Sequence, residues 1–184
     1  LFREQARGLA AATVRERDAA RFRQAAEIDQ PEQRISALRA YLAEPDGQHR
    51  RRAEDLITIS RQTIDDAAYS RALDEPDLRR RIAALEGYLA GETIRHHADQ
   101  AKVQLTAARQ ELAQQQFAAA VAPGSYTDRA GRIQTYLDGD PDPAFASRAR
   151  ALLRQLNDEA EAAQQRQADE AAWARAQAPS DPAT

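Results

Sequence analysis

The residues with the clearest capacity for chemistry are three histidines, His49, His96 and His97. Histidine ligates metals and exchanges protons near neutral pH, so its placement has to be weighed. His49 and His96 each stand eight residues after a tyrosine, near the predicted start of a long helix. His96 and His97 project roughly 100° apart on a helix, which keeps them from sharing one ion. His96 and Asp99 could share one, but two ligands make a weak site. The expectation is surface side chains in a first helical turn.

Paired carboxylates are the next candidates. Asp65-Asp66 is expected on a helix exterior. Asp138, Asp140 and Asp142 form a turn without the Gly and Glu spacing of an EF-hand loop. Both groups read as solubility and capping residues. The chain has no cysteine, which removes thiol nucleophiles, disulfides and thiolate metal sites. It also has no Gly-rich phosphate loop, no G-x-S-x-G and no H-E-x-x-H. No catalytic, cofactor-binding or metal-ligating set emerges, and the chain reads as non-enzymatic.

Two basic runs remain, His49-Arg50-Arg51-Arg52 and Arg79-Arg80-Arg81. The first sits at a helix N-terminus, where the macrodipole disfavours cations, so it is a candidate partner patch. The alternative is a solvated face paired with Glu54, Asp55 or Asp77. With 26 basic and 29 acidic residues the charge is nearly balanced, and the aromatics do not interleave with the basic runs. Nucleic acid is therefore not an expected partner. No run approaches the ~18 apolar residues of a membrane span.

The elements that position these residues repeat. Arg34-Ile35-Ser36-Ala37-Leu38-Arg39-Ala40-Tyr41-Leu42 is echoed by Arg81-Ile82-Ala83-Ala84-Leu85-Glu86-Gly87-Tyr88-Leu89, and again by the stretch from Arg129 through Ile133 to Tyr136-Leu137. The step is roughly 47 residues. An aromatic precedes each tyrosine at constant distance (Phe22, Tyr69, Phe117), with alanine three positions later, and Trp173 with Ala176 repeats that pair. A further landmark pairs alanine with apolar residues: Ala6-Leu9, Ala53-Leu56-Ile57, Ala101-Leu105 and Ala149-Leu152-Leu153. The units run roughly 6–52, 53–100, 101–148 and, in part, 149–184. Their expected core anchors are Phe22, Tyr41, Leu42, Tyr69, Tyr88, Leu89, Phe117, Tyr136, Leu137 and Trp173. If exposed, the long-helix aromatics would instead form a ladder of peptide-binding positions.

All eight prolines fall between the periodic segments, as expected of a residue that breaks helix interiors. Ala, Gln, Glu and Arg dominate, and β-branched residues are few, so the fold class is all-α. The spacing predicts long helices ending near Glu27 and over 48–73, 92–121 and 143–177, with short ones over 31–43, 77–90 and 126–138. Asp142-Pro143 reads as an N-cap, and Ser125 with Asp128 as a capping box. Ala101, Leu105, Ala108, Leu112 and Ala119 trace a coiled-coil-like seam. Beyond Leu156 only Trp173 is large and apolar. That segment is expected to project partly bare, as it would before a following short helix. Two packings fit these lengths. Short helices could fold back along half of each long one, giving an elongated rod with three helices in every section. Alternatively, the long helices could stand side by side as an α-solenoid.

The staggered scheme resembles spectrin-type repeats, in which one helix runs unbroken into the next unit. Tyr41-Leu42, Pro45-Asp46-Gly47 and Ala53 are also similar to TPR-like helical repeats of bacterial multidomain proteins. Both resemblances imply scaffolding, spacing or partner binding. Lys102, the only lysine, points to a GC-rich, bacterial genome. The chain starts at Leu1 without a signal peptide and reads as a fragment of a longer protein, whose compartment is not legible. The expected function is a non-catalytic rigid spacer, or alternatively a protein–protein interaction module binding a peptide or partner helix. Leu1, Phe2, Ile59 and Ile94 are its leftover large apolar residues. Further repeats of the same chain, or another protein, would be the partners. Self-association stays open, and no cofactor or membrane insertion is expected.

Overall fold

Strong helix formers punctuated by proline and capped at their starts give seven helices and no strand among the described residues. In the computed structural model these residues are 2–45, 47–91 and 95–177. The helices are α1 (Phe2–Ala26), α2 (Pro31–Leu42), α3 (Arg50–Leu73), α4 (Leu78–Ala90), α5 (Ala98–Ala120), α6 (Tyr126–Asp138) and α7 (Pro143–Gln177). The protein is all-α. No described helix is long and apolar enough to cross a membrane.

Local chemistry sets the helix starts. Pro31 opens α2, where its missing N–H costs nothing. The Asp77 carboxylate accepts from the Arg80 amide at the start of α4. Asp142 caps α7 by accepting from the Ala144 amide at 2.9 Å. At α6 the Ser125 hydroxyl accepts from the Asp128 amide and donates to the Asp128 carboxylate at 2.6 Å. The Asp128 side chain thus reaches the hydroxyl of Ser125, where a reciprocal capping box would take it to the backbone amide.

The chain forms two compact units, Leu1–Thr106 and Ala107–Thr184. The first holds two apolar clusters. One joins Phe22 and Ala25 of α1, Ile35, Leu38 and Tyr41 of α2, and Ala53 and Ile57 of α3. The other joins Ala72 of α3, Leu85 and Tyr88 of α4, and Ala101 and Leu105 of α5. In the second unit Ile133 of α6 packs with Ala149 and Leu156 of α7, flanked by Phe117 and Tyr136. Leu38, Leu85 and Ile133 are each wholly buried, at corresponding places in the three short helices. Small residues (Ala53, Ala101, Ala149) are wholly buried at corresponding places in the long helices, so a chain poor in large apolar residues still fills its core.

Two sequence expectations are corrected here. The helix expected from residue 92 begins at Ala98, with residues 92–94, including Ile94, outside the described set. Arg95–His97 precede it because the His96 and His97 amides bond to side chains of α3 and α4. Trp173, grouped with the core anchors, is 68% exposed because no described helix covers that end of α7. Leu1, Asp46, Pro179 and Pro182, used in the sequence reading, also lie outside the described residues.

Candidate functional site: a carboxylate–tyrosine socket

An α-helix begins with four amides that have no intrahelical partner, and its N-terminus carries a partial positive charge. Both needs are met from a distance in the first unit. Asp65, on α3, is buried; its Oδ1 accepts from the Tyr88 hydroxyl at 2.8 Å and its Oδ2 from the His96 amide at 2.8 Å. The His97 amide then donates to the Tyr88 oxygen at 3.3 Å. The same arrangement occurs one step earlier. Asp18 accepts from Tyr41 at 2.9 Å and from the Gln48 amide at 3.0 Å, and the His49 amide donates to Tyr41 at 3.0 Å. One carboxylate and one hydroxyl thus bind the start of the next long helix to the two helices before it. Burial raises the hydroxyl pKa of both Tyr41 and Tyr88, and the adjacent carboxylates add to it. Gly47 lines the first socket: a Cβ there would lie 3.0 Å from the Tyr41 ring and hydroxyl, so a side chain at this place would press Tyr41 out of position.

A ring stack completes each socket. His49 stacks on Phe22 at 4.8 Å and His97 on Tyr69 at 4.6 Å, while Phe145 meets Phe117 in a tilted contact at 5.3 Å. The structural equivalent of His49 is therefore His97, since the second turn is one residue longer, and the third member of the set is Phe145. His97 further places Nε2 at 2.7 Å from Asp66 and Nδ1 at 2.7 Å from the Gln100 side-chain oxygen. The hydrogen bonds to Asp66 and then to Gln100 raise its pKa by favouring the charged ring.

In the second unit the motif is altered. The residue matching Asp18 and Asp65 is Ala113, and the Tyr136 hydroxyl is buried without a hydrogen-bond partner among the described residues. The amide that corresponds to His96 belongs to Ala144, and Asp142 accepts it locally. A nearby cap has replaced the remote carboxylate. Burial raises the Tyr136 pKa, with a smaller contribution from the charge of Asp142.

Asp65, Asp66 and His97 offer ligand atoms within 4.8 Å of one another. Each of the three is engaged in the bonds just described. Asp65 was expected on a helix exterior; it is buried because α4 and the turn before α5 fold over it. The one histidine–carboxylate pair that spacing offered was the weak one of His96 with Asp99. The structure pairs His97 with Asp66 across the turn, and Asp99 with Lys102 at 3.1 Å.

The candidate basic patch divides. Arg50 donates to the Leu42 and Glu44 carbonyls, so its cation meets the C-terminal end of α2, which favours positive charge. Arg52 lies over the Phe22 ring at 5.7 Å, and the Nε of half-buried Arg81 donates to the Glu75 carbonyl at 2.7 Å. Arg34 makes the corresponding bond to the Ile28 carbonyl at 2.7 Å. In the second unit Arg132 reaches the Ala122 carbonyl, whereas Arg129, the sequence match to Arg34 and Arg81, has a buried Nε with no hydrogen-bond partner among the described residues. Arg50, Arg51, Arg52, Arg79 and Arg80 of the proposed patch are exposed, whereas His49 and Arg81 are half-buried. Between α3 and α4 lies an open groove of about 400 Å³, floored by Ala68, Ala84 and Tyr88 and flanked by Arg61, Arg71 and Arg95.

No family model, curated protein or solved structure matches this chain.

The arrangement ties the start of a long helix to the two helices before it. Its carboxylates and histidine are engaged with helix starts and aromatic rings, and the bonds to Asp66 and Gln100 raise the histidine pKa. Sequence reasoning missed the socket although a signal existed: Asp18, Asp65 and Asp169 each stand four residues before a long-helix aromatic.

Proposed function

We propose that this chain is a non-catalytic structural or scaffolding repeat region that acts as a rigid spacer, built as tandem units of roughly 47 residues. The observation carrying this reading is the socket. Asp65 and Tyr88 together hold the start of α5, as Asp18 and Tyr41 hold the residues leading into α3. A joint with three tied members resists bending more than an apolar contact alone, because hydrogen bonds are directional. The clusters that combine the end of one long helix, a short helix and the start of the next also support the staggered packing of spectrin-type repeats over side-by-side stacking. Small-angle scattering with light-scattering mass tests it. A monomer with maximum dimension near ~100 Å is expected from one ~40 Å helix and three ~20 Å steps. A ~60 Å particle would sink the stagger.

The second reading is a protein-interaction module, favoured by the groove beside Tyr88 with its three arginines. Such a surface suits an acidic, partly apolar peptide. Charge reversal of Arg61 and Arg71 would abolish capture of such a peptide while leaving the scattering curve unchanged.

A further inference from the structure

The far half of α7 carries a socket half-built. Asp169, Trp173 and Ala176 are spaced four and three residues apart, which puts them on one helix face. The same spacing places Asp18, Phe22 and Ala25 on α1, and Asp65, Tyr69 and Ala72 on α3. In those two helices the face is covered: Phe22 and Ala25 are each 5% exposed, and Ala72 is 3% exposed. The cover is the next short helix, whose tyrosine stands 5.7 Å from Phe22 in one case and 5.6 Å from Tyr69 in the other. On α7 all three residues are exposed, and Trp173 is the largest bare apolar side chain near that end of the helix. Among the described residues Asp169 accepts a bond from Gln165 alone, one turn back, at 2.8 Å.

We propose that this face of α7 is a docking site for an amphipathic helix with the chemistry of α2 and α4. The partner helix carries leucine three residues before a tyrosine and leads through a short turn into a second helix. Its leucine and tyrosine ring cover Trp173 and Ala176. Its tyrosine hydroxyl donates to Asp169, whose other oxygen takes an amide at the start of the second helix. Charge favours this occupant, since a carboxylate is stabilised at the positive end of a helix. The intact joints identify it, because the same three-residue face is twice covered by such a helix. α2 and α4 of a second copy are themselves occupied by α1 and α3, so the partner is a unit whose own short helix is uncommitted. This proposal stands apart from the spacer reading: the scattering test can fail while the docking succeeds, and the reverse.

Trp173 is the only tryptophan and therefore the natural reporter. The probe is a tryptophan-free peptide of residues 74–120, which carries α4, Tyr88 and α5, titrated onto the full chain with excitation selective for tryptophan. A partner that folds as it binds associates weakly. The same segment is therefore also joined directly after Gln177, which raises its effective concentration to the mM range. In both formats the emission should move to shorter wavelength and acrylamide quenching should fall severalfold. Asp169→Ala, or Tyr88→Phe in the added segment, should weaken the titration about tenfold, the effect of losing one charge-assisted hydrogen bond. Unchanged emission and quenching in the joined chain, with circular dichroism showing the added segment helical, would overturn the proposal. So would a concentration-dependent blue shift of the chain alone, which would mark α7 pairing with a second α7. Binding that is indifferent to both Asp169 and Tyr88 would likewise rule out the socket.

Discussion

The Tyr88 hydroxyl donates to Asp65 at 2.8 Å while accepting from the His97 amide at 3.3 Å, so a single oxygen links α3, α4 and the turn into α5. Both hydrogen-bonding capacities of the phenol are used, and both Asp65 oxygens are occupied.

Removing Asp65 should therefore be costly. Asp65→Ala leaves a buried hydroxyl and an amide without partners and should lower unfolding stability by about 2–3 kcal/mol, against about 1 kcal/mol for Tyr88→Phe. Urea denaturation of the two single variants and the double variant measures this. The losses should be less than additive, because the residues share a bond. A loss below about 0.5 kcal/mol for Asp65→Ala would mean that solvent satisfies these groups.

Tyr136 is an internal contrast, since its hydroxyl has lost its aspartate to Ala113. Tyr136→Phe should change stability by less than about 0.5 kcal/mol, or raise it. Ala113→Asp should add about 1 kcal/mol by giving the phenol an acceptor, and that gain should vanish when Tyr136 is also phenylalanine.

Ser60 is wholly buried in α3, and its hydroxyl has no partner among the described residues. At the matching place in α5 stands buried Ala108. Ser60→Ala should raise stability by about 1 kcal/mol in the same denaturation assay, because it removes an unpaired polar atom at little cost in volume. A decrease would place an acceptor or a water at that hydroxyl.

The charged form of His97 is favoured by Asp66 and Gln100. Its pKa in the folded chain should lie above the ordinary ~6.5, read by NMR titration of the ring protons, and Asp66→Asn should bring it down. A folded value above the unfolded one means the stabilisation is complete below about pH 6.5 and is lost as pH rises through the folded pKa. A folded value below 6.5 would contradict the ion pair.

Much of the fold is legible residue by residue. Proline and capping residues act within a turn of the chain, so the ends of α2, α6 and α7 follow from Pro31, Ser125 and Asp142 directly. Apolar spacing along a single helix picks out Leu38, Leu85 and Ile133 as inward-facing. The start of α5 was misjudged because its amides are capped by Asp65 and Tyr88, which lie far away in sequence.

The sequence by itself determined the helices, most of their punctuation and the apolar face of each short one, because these depend on propensity and periodicity over neighbouring residues. Only the tertiary structure decided which polar groups meet. Asp65 and Asp66 are adjacent and chemically alike, yet the rotation of α3 against α4 buries the first under Tyr88 and leaves the second at the surface beside His97. Trp173 shares the sequence signature of Phe22, but whether such a ring is buried depends on whether another helix lies across it, which no local pattern encodes.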